Sequence, residues 1–207
     1  MKSLKGYKKL LIVVDMVNGF VNEGALADKN INHITPEIIR LVEHTLLSDE
    51  AVAFVKDTHD EDSQEFKSFP PHCIKGTEES QLIPELKLYE GLDPVLVYEK
   101  NSTSTMFAKG FLNDINKMEN LNEVIIVGCC TDICITNLAI PLKNYFNELN
   151  KDVNIIVPEN AVETYNSEFH PNNEWNYMAF SMMKQSGVEI VSEYKETDIV
   201  NEWENNK

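Results

Sequence analysis

The sequence predicts an α/β fold, a three-layer Rossmann-like arrangement in which a mainly parallel sheet of about six strands is flanked by helices. Three observations carry that expectation. Short runs rich in Val, Ile and Leu recur along the chain, and segments with apolar residues at three- and four-residue spacing separate them. The 207 residues, 43% hydrophobic and 25% charged, also suffice to bury a sizeable core.

The apolar runs lie at 10–14, 51–55, 95–98, 124–127, 153–157 and 188–191, and their near-continuous character is that of strands covered on both faces. Helical segments fall between them at 36–47, 106–118, 132–149 and 173–186. Strands that alternate with helices pair in parallel. No segment repeats and no low-complexity linker divides the chain, so a single domain over 1–207 is expected. The longest irregular stretch runs from 57 to about 85, and loops of that length usually carry function.

Composition removes several classes of function. A net charge of -16, with no cluster of Lys or Arg, repels phosphate backbones and anionic lipid, so no nucleic-acid partner is expected. The acidic stretch 193–204 reads as solvated surface. The run at 10–14 is far shorter than a signal core or a spanning helix, which argues against export and membrane insertion. Three of the four cysteines (Cys73, Cys129, Cys130, Cys134) crowd together, a poor disulfide framework, and reduced thiols in a cytoplasm fit better.

Ligands of open α/β sheets sit at the carboxyl ends of the strands. The polar residues that follow the apolar runs are Asp15, Asp57 with His59, Lys100, and the turn Gly128-Cys129-Cys130-Thr131-Asp132-Ile133-Cys134. Four strand ends thus deliver chemically useful groups that are distant in sequence and converge in such a sheet. Thr131 or Asp132 is suited to cap the next helix, which puts Cys134 in its first turn. There the unpaired N–H groups and the helix dipole favour a thiolate and offer donors to an oxyanion. Cysteine is more commonly a small core residue, but the strand-to-helix position argues for a nucleophile. Asp15 and Lys100 are the right types for its proton acceptor and its positive partner. A zinc knuckle from Cys129, Cys130 and Cys134 does not match the usual paired spacing. No G-x-G-x-x-G follows the first strand, which sets aside a dinucleotide-binding dehydrogenase.

The long loop reads Asp57-Thr58-His59, then Glu65-Phe66, then Phe69-Pro70-Pro71-His72-Cys73. Carboxylate and imidazole together make a plausible metal set.

Three segments in this order, Val13-Val14-Asp15-Met16-Val17-Asn18-Gly19-Phe20, Glu99-Lys100 followed by Ser104, and Gly128-x-x-Thr131-Asp132-x-Cys134, resemble the isochorismatase-like cysteine hydrolases, and within them the nicotinamidases. The resemblance covers nearly the whole chain. It implies an Asp15, Lys100, Cys134 triad, a non-proline cis peptide between Cys129 and Cys130, and oxyanion donors from the backbone of Cys130 and Cys134. It also implies one divalent ion (zinc, manganese or iron) held by Asp57, His59, Glu65 and His72, and a substrate ring held by Phe20, Phe69 and Cys129. Many members have histidine where Glu65 stands, and a glutamine and an aspartate are frequent where Val17 and Gly19 stand. The implied reaction is hydrolysis of a small-molecule amide, nicotinamide, in NAD metabolism, and members of the family often form homo-oligomers. Rival expectations are a relative acting on a vinyl ether such as isochorismate or on a carbamoyl or ureido compound, and a non-catalytic binding module of the same fold.

Overall fold

The computed structural model describes residues 3–195. All but three residues of the acidic stretch 193–204 therefore lie outside the described residues. Seven strands form one sheet: β1 (Lys9–Val14), β2 (Ala51–Asp57), β3 (Val95–Lys100), β4 (Glu123–Cys129), β5 (Asn154–Pro158), β6 (Val162–Glu163) and β7 (Glu189–Val191). Their order is β3-β2-β1-β4-β5-β7, with β6 paired to the end of β4, and every pairing is parallel. The six runs expected from the sequence are all strands; the two-residue β6 is too short to have left a periodic signal.

Six α-helices accompany the sheet: α1 (Asn18–Val21), α2 (Thr35–Leu47), α3 (Pro84–Lys87), α4 (Phe111–Lys117), α5 (Thr136–Glu148) and α6 (Asn172–Gln185). Side chains of β1 alternate between two cores: Leu10, Ile12 and Val14 pack with Phe111, Leu138 and Met183 of α4, α5 and α6, while Leu11 and Val13 pack with Ile38 and Leu41 of α2. Helices thus cover both faces of the sheet, which is the three-layer arrangement.

The helix expected over 106–118 is shorter. A 3₁₀ turn at Thr105–Phe107 and Gly110 in the left-handed region (φ 90°) precede α4, so the apolar spacing continues across a break in the backbone. The segment expected as a helix over 132–149 begins with a π turn, Thr131–Ile135, before α5. Among the described residues no helix is long and apolar enough to cross a membrane.

Gly128 is the tightest point at the carboxyl edge of the sheet. Its φ is 112°, and a Cβ added there would lie 2.0 Å from the carbonyl oxygen of Val14. Only glycine lets β4 run past the end of β1 so closely. Gly128→Ala is expected to lower stability by on the order of 1–3 kcal/mol from backbone conformation alone, with overlap added. A urea midpoint equal to that of the parent protein would show that the two strand ends are not pinned in this way.

Candidate active site

Three adjacent strands end at one place. Asp15 follows β1 directly, its N–H still bonded to the Val55 carbonyl of β2 (2.9 Å), and it takes the left-handed conformation (φ 53°) that Asp tolerates better than most residues. Asp57 and Lys100 end β2 and β3 and stand opposite each other in register. Lys100 Nζ is 2.8 Å from Asp15 Oδ2, 2.7 Å from Asp57 Oδ1 and 3.7 Å from Cys134 Sγ. The ammonium is almost entirely buried, at 2% exposed, and so are its partners.

These contacts shift each group. Burial pushes the Asp15 carboxyl up to about 6, against the opposing pull of Lys100. Burial would also raise Asp57, but Lys100 and hydrogen bonds from His59 and His72 outweigh it and hold Asp57 well below the usual carboxylate range. Burial would lower Lys100, yet Asp15, Cys134 and Asp57 together push it up. Burial pushes the Cys134 thiol well above its ordinary value, with Lys100 opposing and Asp15 and Asp57 reinforcing. Where the helix-start position argued for a thiolate, burial beside two carboxylates favours the protonated sulfur instead. The Asp15 carboxylate is held mainly by its ion pair with Lys100.

Cys134 is the fourth residue of the π turn that leaves β4, and the peptide between Cys129 and Cys130 is cis. All four cysteines are free thiols. Cys129 departs from its expected substrate contact. It is fully buried, its Sγ donates to the Asp15 carbonyl (3.2 Å), and Cys130, not Cys129, reaches the cavity wall.

The loop after β2 is folded back by paired backbone bonds, His59 N–H to the Cys73 carbonyl and Lys75 N–H to the His59 carbonyl. His72 is thereby brought to His59, and the two rings meet edge-on at 4.6 Å. Both Nε2 atoms face Asp57 Oδ2, at 2.9 Å for His59 and 3.0 Å for His72, and Glu65 Oε1 lies 3.8 Å from His59 Nε2. Ligand atoms of Asp57, His59, Glu65 and His72 all lie within 4.8 Å of one another. Each Nδ1 is already committed, His72 to the Pro70 carbonyl (2.8 Å) and His59 to Asn101 Oδ1 (3.0 Å). Outer partners of this kind orient both rings so that each Nε2 points into the cluster, where a bound cation would replace the bonds to Asp57, so the donor set fits one divalent cation. Asn101 was not expected from the sequence; its place beside Lys100, one residue past β3, was the available signal.

A cavity of about 500 Å³ opens onto these groups, within the range usual for small-molecule sites. Cys130, Cys134, Asp57, Glu65 and His72 line it, together with Phe20 and Phe69. The two phenylalanines also pack on His72, with ring centroids at 5.6 Å and 6.3 Å. Tyr165 and Ile133 complete the apolar wall, and neither was expected from the sequence.

Residues 9–193 match the model of the Isochorismatase domain. The chain belongs to the isochorismatase family. Among its relatives in that family, Nicotinamidase 1 of Arabidopsis thaliana is 29% identical over 88% of this chain and 84% of that protein. The crystal structure of nicotinamidase PncA from Bacillus subtilis superposes with a TM-score of 0.73 at 30% identity, covering 89% of this chain and 99% of the other. That of N-carbamoylsarcosine amidase from Thermoplasma acidophilum also gives 0.73, at 25% identity over 92% and 99%. A parallel sheet with helices on both sides is thus the family's architecture as well as this chain's.

Removal of the shared ammonium tests the electrostatics of the site. Lys100→Met leaves two buried carboxylates facing each other and should cost about 3–5 kcal/mol at pH 7. Asp15 already has a raised folded-state value, so what it adds to stability is present below its ordinary 3.8 and is lost as pH climbs through about 6. Without Lys100 that loss grows, so the deficit against the parent protein should be smaller at pH 5 than at pH 7 by urea unfolding. A deficit that does not change with pH would contradict the assignment.

Proposed function

We propose that the protein is a metal-dependent amidohydrolase that converts nicotinamide to nicotinate and ammonia through a covalent thioester on Cys134. The observation that carries this reading is that one cavity is walled by Cys134 and by Asp57, Glu65 and His72, while Lys100 ties the cysteine and the cluster together from behind. The family supports hydrolysis, and the nicotinamidases among the relatives support this substrate.

Asp15 accepts the Cys134 proton as the sulfur attacks the carboxamide carbon; a base near 6 is well matched to a neutral medium. Lys100, 3.7 Å from Sγ, stabilises the negative sulfur while the proton is away. Backbone N–H groups of Cys130 and Cys134 hold the oxyanion of the tetrahedral species. Ammonia leaves with the proton returned from Asp15, and water then hydrolyses the thioester. Phe20 and Phe69 flank a flat ring. Asp57, His59, Glu65 and His72 would hold zinc, manganese or iron, which when bound supplies an electrophilic anchor for a ring nitrogen. Glu65 in place of a third imidazole makes the set harder and shifts preference toward manganese or iron.

A second reading, hydrolysis of a carbamoyl or ureido amide by the same three residues, matches the named activity of one structural neighbour, N-carbamoylsarcosine amidase, and is the alternative to test. The two are separated by incubating the protein with nicotinamide and a panel of small amides and ureido compounds, following ammonia release, and measuring metal content on the same sample. Nicotinamide turnover in metal-loaded protein is expected; turnover of ureido compounds alone by metal-free protein would establish the second reading. Cys134→Ala should abolish turnover and retain the metal, and hydrolysis at the parent rate in that variant would refute the scheme.

Asp15 must be ionised to act, so kcat/KM for nicotinamide should fall as pH drops through about 6. Asp15→Asn should remove the activity at every pH. An acid limb unmoved from pH 7 down to pH 4 would exclude Asp15 as the base.

A further inference from the structure

The turn that carries Cys134 is braced from outside the cavity by a group the reaction scheme does not use. Asp132, two residues before the cysteine, accepts a hydrogen bond from Thr164 Oγ1 on one carboxylate oxygen and from His170 Nε2 (3.0 Å) on the other. His170 Nδ1 lies 2.9 Å from the backbone carbonyl oxygen of Tyr165. The imidazole is buried and lies as the middle layer of a three-ring stack. It is 3.8 Å from Tyr165 with the planes 10° apart, and 4.4 Å from Trp175 on the first turn of α6 with the planes 14° apart. Tyr165 is itself part of the cavity wall, on the segment between β6 and α6. That segment is closed by reciprocal backbone bonds between Ser167 and His170 and is tied across the mouth by Asn166 N–H to Asp28 Oδ2 (2.9 Å).

We propose that His170 is a positioning residue which sets two things at once, the presentation of Cys134 through Asp132 and the aromatic wall against the substrate ring through Tyr165. The inference rests on the reading of Cys134 as nucleophile and of the cavity as the seat of a planar ring, and it adds Tyr165 as a third aromatic side to Phe20 and Phe69. The ring is held at both edges, Nε2 against the Asp132 carboxylate and Nδ1 against the Tyr165 carbonyl, and between two stacked faces, so it has little freedom to tilt. Its stacked faces then give Tyr165 a fixed plane, while its edge holds the carboxylate that begins the nucleophile's turn. A small displacement of that turn is costly, since about 1 Å at a reacting group can cost on the order of a hundredfold in rate.

The two roles separate by substitution. His170→Phe keeps a ring between Tyr165 and Trp175 and removes both ring nitrogens. It should lower kcat for nicotinamide by about ten- to a hundredfold with KM little changed. His170→Gln keeps an amide donor in reach of Asp132 and removes the stack. It should raise KM by about two- to tenfold, the worth of an aromatic pair, with kcat largely retained. A readout independent of substrate is the rate at which iodoacetamide alkylates Cys134, followed by peptide mapping: slowed in His170→Phe, unchanged in His170→Gln. Should His170→Phe fail to fold, Asp132→Asn leaves the stack intact and carries the same expectation for kcat and alkylation.

Parallel losses of kcat, KM and thermal stability in both variants would reduce His170 to a packing residue and overturn the proposal. So would parent-like kcat and alkylation in His170→Phe. If the parent protein does not turn over nicotinamide while the alkylation contrast appears, the substrate reading fails and the positioning of Cys134 by His170 stands.

Discussion

One buried ammonium organises the carboxyl edge of this sheet. Lys100 Nζ stands within 2.8 Å of Asp15, 2.7 Å of Asp57 and 3.7 Å of the Cys134 sulfur, with almost no exposure to water. Two carboxylates so close and so dry could not both stay ionised without it, and the ammonium could not stay charged without them. The consequence is a division of labour between two like side chains. Asp57, bonded on its other oxygen by two histidines, is held anionic, while burial pushes Asp15 toward neutrality. The same cation therefore contacts the carboxylate proposed as the base on one side and a carboxylate proposed as a metal ligand on the other.

The sheet makes that arrangement cheap in conformational terms. Asp15, Asp57 and Lys100 each lie at the end of a rigid strand whose register is set by five or six paired residues, and the cysteine arrives on the turn after the fourth. Gly128 lets that turn approach β1. What remains to be placed beyond the strand ends is the outer half of the site: Phe20 of α1 with Glu65, Phe69 and His72 of the long loop on one side, Tyr165 on the other. Each of these loops is pinned by hydrogen bonds to backbone groups or to a strand-end side chain.

Much of this was legible in the residues. Six apolar runs gave six strands, and a reactive residue directly after a run is a sign that survives without any knowledge of packing. The carboxylate and imidazole groups of the long loop suggested a metal set by themselves, and the family resemblance named its four members, whose ligand atoms the fold brings within 4.8 Å of one another. The pairing of Asp57 with Lys100 was not legible, because it depends on which strands are neighbours and in what register. The inward turn of Cys129 and the raised thiol of Cys134 were hidden for the same reason: both follow from burial that only the assembled layers impose. The helix that begins only after Gly110 shows the limit of spacing as a guide, since apolar periodicity continued where the backbone did not.

The central claim is that an acyl group passes through the Cys134 sulfur. Hydroxylamine partitioning tests it most directly, with nicotinamide as substrate and ammonia, nicotinate and nicotinohydroxamate measured together. A thioester intermediate predicts that rising hydroxylamine diverts product from nicotinate to the hydroxamate, that ammonia release does not fall, and that Cys134→Ala makes neither product. Ammonia and nicotinate formed at the parent rate with no hydroxamate at any hydroxylamine concentration would contradict it.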